Sequence, residues 1–213
     1  MIITVFGATG QVGKYVVNLA LANNFIVKAF GRNIESLIDA DMQSHHQLQA
    51  IKGYVFDETE VLNAVKGSDA VVSVLGGSFD GTDKTRSLGI KNIIEQMQKA
   101  KVKRIIALGG LGILNSDENS LLIDSPTYPE QYLPVGKEHL EAYEFLKNST
   151  LDWTFVCAPD ILNADANDKY IVSADYPPTP NKYQINAGNI ATFMLNELKK
   201  NEYIHHRVGI SNL

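Results

Sequence analysis

A chain of 213 residues is long enough to bury one full hydrophobic core and is expected to form one domain over residues 1–213. Its net charge of −5, its pI near 5.5 and the lack of any long basic run exclude an electrostatic footprint for nucleic acid or an anionic membrane, so small molecules are the expected partners. The single cysteine, Cys157, lies in the apolar run "WTFVCAP" and reads as a buried small hydrophobe in a reducing compartment. The chain opens directly on strand-like "MIITVF", and no apolar run approaches bilayer-spanning length, so a cytoplasmic location is expected.

In chain order, short β-branched runs alternate with helix-length segments. Strand "IITVFG" is followed by helical spacing over 11–22, "FIVKAFG" by 34 to about 40, and "YVFD" by 58–65. Next come "DAVVSVLGG" with a helix over 86–99, "KRIIALGG" with one over 136–147, "DWTFVCAP" with one over 187–200, and finally "RVGIS". In the last helix Ile190, Phe193, Met194, Leu195 and Leu198 make an apolar stripe for the core side. Strands that are apolar on both alternations, separated by helices, predict an α/β fold: a doubly wound parallel sheet of the Rossmann kind. Residues 111–135 and 160–186 break the rhythm, being long and rich in Pro, Asn and Asp. Both follow the carboxyl ends of strands, where open α/β sheets bind ligands, so they are expected to wall a substrate site.

Gly7, Gly10 and Gly13 form a G-x-x-G-x-x-G pattern between the first strand and the first helix. The spacing suits a tight turn at Gly7, close approach of an anion at Gly10 and close helix packing at Gly13. A dinucleotide pyrophosphate on the helix N-terminus follows, with Thr9, Gln11 and Val12 as donors. An acid at the end of the second strand would select NAD through its ribose hydroxyls. The strand instead ends "AFGRN", and Arg32, helped by Asn33, fits the 2′-phosphate of NADP. Asp57 falls where it could meet the adenine or cap the following helix. Gly76 and Gly77 would let the backbone approach the cofactor ribose.

Carbonyl reduction in the short-chain dehydrogenase class needs a serine, a tyrosine and a lysine four residues on. Gly109 and Gly110 stand where the serine is expected. Tyr132 and Lys137 are five apart with Pro134 between them, and no Tyr-x-x-x-Lys turn forms. Tyr143 and Lys147 have the spacing but lie late in their helix, where an aromatic packs on the sheet and a lysine meets solvent. These residues favour hydride handling over alcohol–ketone chemistry.

The stretches "VFGATGQVGKYVV", "GRN", "DAVVSVLGG", "GIKNIIEQMQKAKVKRII", "KEHLEAYEFLKNSTLDWTFVCAPDI" and "NIATFMLNELKKNEYIHHRVGIS" resemble the atypical short-chain dehydrogenase/reductase families. The nearest likeness is to the flavin reductase/biliverdin-IXβ reductase group, alongside NmrA-like proteins. The resemblance implies a single Rossmann domain, NADPH as hydride donor, and a broad hydrophobic acceptor site for flavins such as FMN or for linear tetrapyrroles. By position, Gly7, Thr9, Gly10, Gln11, Val12 and Gly13 would bind pyrophosphate, Arg32 the 2′-phosphate, Asp57 the adenine side, and Leu75 and Gly76 the nicotinamide ribose. Cys157, Ala158, Pro159 and Ile161 would line the nicotinamide. His139 matches a histidine of that group near the acceptor and could orient it or relay a proton, an imidazole titrating near neutrality. The group's serine is replaced by Gly109, which puts bilin reduction in doubt.

Flavin reduction needs few protein groups, because the acceptor ring is itself an electron sink. Tyr128 and Tyr132 in the first long loop, and Tyr170 and Tyr176 in the second, are candidate walls for a flat acceptor. Two other readings stand beside this oxidoreductase: an NADP(H) sensor without turnover, and a quinone-reducing or epimerase-like enzyme of the same fold. A monomer or weak homodimer is expected. The pairs His45-His46 and His205-His206 lack accompanying ligands at metal spacing, so no metal is expected.

Overall fold

The computed structural model describes residues 1–37 and 45–213. In chain order the elements are β1 (Ile2–Phe6), α1 (Gln11–Ala22), β2 (Ile26–Gly31), β3 (Leu48–Lys52), α2 (Glu58–Val65), β4 (Ala70–Ser73), α3 (Ser87–Ala100) and β5 (Arg104–Gly110). Then follow α4 (Leu133–Lys147), β6 (Asp152–Ala158), β7 (Asp160–Leu162), β8 (Tyr170–Ala174), β9 (Gln184–Asn186), α5 (Ala187–Lys200) and β10 (His206–Asn212). Eight strands form one sheet in the order β3-β2-β1-β4-β5-β6-β10-β8, parallel except for β8, which runs against β10. β7 and β9 make a separate two-stranded parallel ribbon.

Alternation on each strand sorts the core into two layers. Ile3 and Val5 of β1, Val72 of β4, Ile106 of β5 and Val156 of β6 pack under α1 and α5, with Val16, Val17, Ile190 and Met194 descending onto them. Phe6, Val71, Ile105, Trp153 and Phe155 face α2, α3 and α4, where Val61, Ile93, Met97 and Leu146 meet them. Each fully buried Leu, Ile or Phe contributes about 1.5–3 kcal/mol of transfer free energy. At the amino-terminal ends of β5 and β6 the sheet buries a charge pair, Arg104 Nη2 to Glu197 Oε1 at 2.7 Å. Glu197 also accepts from the backbone N–H groups of Glu202 and Tyr203, so the buried carboxylate is satisfied.

The structure corrects the sequence expectations in four places. "YVFD" is a turn rather than a strand: Val55 is buried, Tyr54 and Phe56 are exposed, and the third strand is the half-exposed "LQAIK" before it. The helix expected from Ile34 is a short 3-10 turn, Ile34–Leu37, and its expected end at Ala40 lies outside the described residues. α4 begins at Leu133 rather than Gly136, because Pro134 is tolerated in a first turn whose N–H groups have no helical partner. The second long stretch carries β7, β8 and β9.

The two long stretches also meet one another. The Asn115 N–H donates to Asp175 O at 2.9 Å, and Arg207 donates to Ile113 O and Asn115 Oδ1 at 2.8 Å each. A side chain at Gly209 of β10 would touch Leu114, Pro178 and the Tyr176 carbonyl. These segments cover β10 on the face that carries α4, so part of their length completes the core rather than walling a ligand.

Candidate dinucleotide site

β1 has β2 on one side and β4 on the other, so the connections wind in opposite directions from it and leave a crevice at its carboxyl end. The glycine turn fills that crevice with backbone. Gly7 has φ +80°, and a Cβ there would sit 2.5 Å from the Val74 carbonyl oxygen. A Cβ on Gly13 would collide with the Gly7 oxygen and lie 2.8 Å from Ala8 Cα, so only glycine lets α1 seat on the turn. Gly10 is the N-cap residue and supplies no side-chain cap, which leaves the first N–H groups of α1, those of Gln11 and Val12 among them, facing outward. Thr9 reaches toward Gly31 at the tip of β2; a Cβ on Gly31 would lie 3.7 Å from its Oγ1. This is a cradle for an anion, and it fits the diphosphate of a dinucleotide.

Around the cradle, Arg32 and Asn33 follow β2 and are exposed, and the Arg32 guanidinium makes no ion pair among the described residues. Asp57 caps α2, accepting from the Glu60 N–H at 2.9 Å, the alternative to the adenine role that the sequence left open. Leu75 is half-buried, and a side chain at Gly76 would meet no protein atom within 4 Å. Gln11 Nε2 donates to Ile161 O at 3.1 Å, clamping the start of α1 to β7. Beside this clamp lies a cleft of about 460 Å³, lined by Thr9, Gly10, Gln11, Lys14, Tyr15, Asn18 and Asn163. Sequence reasoning missed Lys14, Tyr15, Asn18 and Asn163. The helical spacing of 11, 14, 15 and 18 was the available signal.

The carboxyl end of β5 is bare, but its two glycines differ. A side chain at Gly109 would run into the Phe155 ring inside the core, so this residue can offer only backbone to a cofactor. A side chain at Gly110 would meet His139, 2.8 Å from Cδ2 and 3.3 Å from Nε2. His139 thus lies over the strand end from α4, with its Nδ1 buried and without a hydrogen-bond partner. Burial, with the nearby Arg86 charge adding to it, pushes the imidazole down to about 3. The ring is therefore neutral around pH 7 and suits orienting a ligand; the expected titration near neutrality is corrected.

One residue before it, Glu138 is fully buried and holds Lys84 Nζ by Oε1 and Ser87 Oγ by Oε2, the latter at 2.7 Å. This binds α4 to residues 76–87, which also lie against Pro134 at Gly81. Neither Glu138 nor Arg86 was singled out from the sequence, although both carry charge onto inward helical stripes with Ala142 and Ile90 respectively.

Several candidate walls turn out to be supports. The Tyr128 hydroxyl points inward between Gly112 and Gly136, and Tyr170 is a β8 residue packed on the α1/α5 core. Tyr132 is half-buried at the N-cap of α4, while Tyr176 is exposed beside β10. The Cys157 side chain is sealed in the core and burial pushes its thiol up, so it is no nucleophile, whereas Ala158 faces the opposite layer. Tyr143 stacks near Phe155 and Arg207, and Lys147 is exposed, as the sequence indicated. The His45 and His46 rings stack at 5.5 Å, while His205 and His206 separate to Leu151 O and Asp175. Among the described residues no His, Cys, Asp and Glu group could hold a metal ion, and no helix is long and apolar enough to cross a membrane.

Fold and cradle together define a dinucleotide-binding domain of the Rossmann kind. The chain belongs to the NAD(P)H-binding family, whose model matches residues 7–201. A solved structure of an epimerase candidate from Bacteroides thetaiotaomicron is 30% identical, with a TM-score of 0.84 over 100% of this chain and 97% of that one. An NADH-flavin reductase candidate from Streptococcus pneumoniae is 26% identical, with a TM-score of 0.84 and full coverage of both chains. The uncharacterized protein YwnB of Bacillus subtilis is 28% identical over 73% of this chain and 70% of its own length.

Proposed function

We propose that this protein is an NADPH-dependent reductase that passes a hydride to a flavin or a similarly flat, conjugated acceptor. The observation that carries the reading is the bare end of β5 beside a neutral His139: the site has a cradle for a hydride donor, and among the described residues no tyrosine–lysine pair stands there to protonate an alkoxide, Tyr143 being packed against Phe155 and Arg207. The likeness to an NADH-flavin reductase candidate supports the same reaction class. Gly7, Gly10 and Gly13, with Thr9, Gln11 and Val12, would hold the diphosphate; Arg32 and Asn33 the 2′-phosphate; the backbone at Leu75, Gly76 and Gly77 the nicotinamide ribose; and Ala158, Pro159 and Ile161 the nicotinamide side. When bound, NADPH supplies the hydride. His139 orients the acceptor through one hydrogen bond, and the segments above β5 keep water from the reacting faces.

The test is acceptor-dependent loss of NADPH absorbance with FMN, with NADH and Arg32→Ala as controls. Turnover that requires FMN supports the reading. The second reading, an NADP(H) sensor, draws on the packing of residues 76–87 against α4, which covers the acceptor side. Equal affinity for NADP⁺ and NADPH with no turnover on FMN or a quinone would replace the first reading with the second.

A further inference from the structure

Three of the four arginines are buried, and two of these have a carboxylate partner. Arg104 pairs with Glu197 at 2.7 Å, and Arg207 lies 3.5 Å from Asp175. Arg86 is only 8% exposed, yet it has no carboxylate oxygen within 4.0 Å among the described residues. Its Nη1 donates to Ser78 O at 2.8 Å and its Nη2 to Gly77 O at 3.0 Å. Two carbonyl dipoles occupy two of its five N–H donors, and no carboxylate pairs with it directly. The carboxylates that influence it stay beyond ion-pair distance: Asp83 Oδ1 accepts from the Thr85 N–H at 2.8 Å while its Oδ2 lies beside the same Gly77, and Glu138 accepts from Lys84 and Ser87.

A buried, unpaired cation is costly, and its position is informative. Arg86 lies against Gly77 just beyond β4; a Cβ on that glycine would be 3.1 Å from Nη1. It is close enough to His139, over the end of β5, to disfavour a second positive charge there. The Phe79 ring lies 5.5 Å from the guanidinium and is itself 64% exposed, so a flat aromatic surface stands between the buried charge and solvent.

We propose that Arg86 is the residue that selects the acceptor, its unpaired charge favouring flat molecules that carry a negative group or gain one on reduction, with Phe79 as their stacking surface. This rests on the reductase reading above. In the reaction, the nicotinamide of NADPH loses a hydride, carrying two electrons, and leaves as NADP⁺. The flavin or quinone acceptor gains that hydride and one negative charge, which a solvent proton later neutralises. A fixed positive charge in a low-dielectric setting stabilises that anion without reorganising. An arginine that only shaped the 76–87 segment would affect charged and uncharged acceptors alike.

Equilibrium dialysis of the NADP⁺-loaded protein against anthraquinone-2-sulfonate and 2-(hydroxymethyl)anthraquinone separates these cases. The sulfonate is expected to bind about tenfold more tightly than the alcohol. Arg86→Met should weaken the sulfonate about tenfold and the alcohol less than about twofold, while Arg86→Lys should stay within about threefold of the native protein. Asp83→Asn should tighten the sulfonate severalfold by removing the opposing charge, which keeps the test valid if Arg86→Met does not fold. Equal loss of both quinones in Arg86→Met, or an unchanged sulfonate affinity in Asp83→Asn, overturns the role of Arg86. Native protein that binds both quinones without preference also overturns that role but leaves the reductase reading intact. Native protein that binds neither overturns the flat-acceptor reading, and the role of Arg86 with it.

Discussion

The β1–α1 turn and the carboxyl end of β5 are both stripped of side chains, for different reasons. At Gly7 and Gly13 the space a Cβ would need is held by backbone: the Val74 carbonyl in one case, the Gly7 carbonyl and Ala8 in the other. At Gly109 and Gly110 it is held by the rings of Phe155 and His139. Backbone cannot step aside, whereas a ring can rotate or be replaced. The nucleotide end is thus fixed by main-chain geometry, and the end of β5, where the acceptor is proposed to sit, is shaped by neighbouring side chains.

The sharpest way to break this comparison is to add the same methyl group at both ends. Gly7→Ala meets both a left-handed φ and a carbonyl oxygen, and should cost about 4 kcal/mol of unfolding free energy together with most NADPH affinity. Gly110→Ala displaces one ring and should cost about 1 kcal/mol with NADPH affinity unchanged. Denaturant melts and fluorescence titration read both, and equal losses would show that the two ends do not differ in kind.

Next in size is a change at the amino-terminal ends of the strands. Glu197→Ala leaves Arg104 buried and unpaired, and should lower stability by about 3 kcal/mol while NADPH binds as before. A fall in affinity among the molecules that remain folded would mean that the two ends of the sheet are coupled.

Arg32→Ala then sharpens the nucleotide end itself. With Arg32 in its proposed place on the 2′-phosphate, the substitution should weaken NADPH by about 2 kcal/mol, some thirtyfold, with NADH altered less than about twofold. If both nucleotides weaken alike by calorimetry, the phosphate site lies elsewhere.

The last effect leaves neutral pH untouched and shows only on acidification: the pH response of His139. Its folded value of about 3 lies below the unfolded value near 6.5, so the unfolded chain binds the extra proton first as pH falls. The stability this group contributes is present at neutral pH and is lost between about pH 6.5 and about pH 3. His139→Phe should flatten that part of the curve, and turnover between pH 6 and 8 should not follow an imidazole titration. A native melting curve already flat over this range would place the ring in a wetter setting.

Much of this arrangement was legible in the sequence. β1, β4, β5, β6 and β10 are mainly apolar runs buried on both faces, as is most of β2, and periodicity alone marked α1, α2 and α5 to their ends. The errors came where local signals conflict. "YVF" is apolar yet forms a turn, because only Val55 goes inward, whereas "LQAIK" pairs with β2 despite its exposed Gln49 and Lys52. "YIVSA" was hidden among Asn, Asp and Pro, and it is β10 that makes it a strand. For the site, the glycine spacing stated its own geometry, but the inward turn of Tyr128 depends on the smallness of Gly112 and Gly136 many residues away. Arg86 and Glu138 escaped notice because a charge at one position of an apolar stripe looks like an ordinary surface residue until its partners are known.

The position of β10 has a consequence for how the chain is made. It enters between β6 and β8, which precede it in the sequence, and its Val208 to Ser211 core is fully buried. While the ribosome is still adding these residues, β6 has an open outer edge and β8 has nothing to pair with. The nascent chain therefore carries an unpaired apolar strand edge until β10 has emerged from the ribosome, and this is the interval in which chaperones, rather than the finished sheet, must keep two such chains apart.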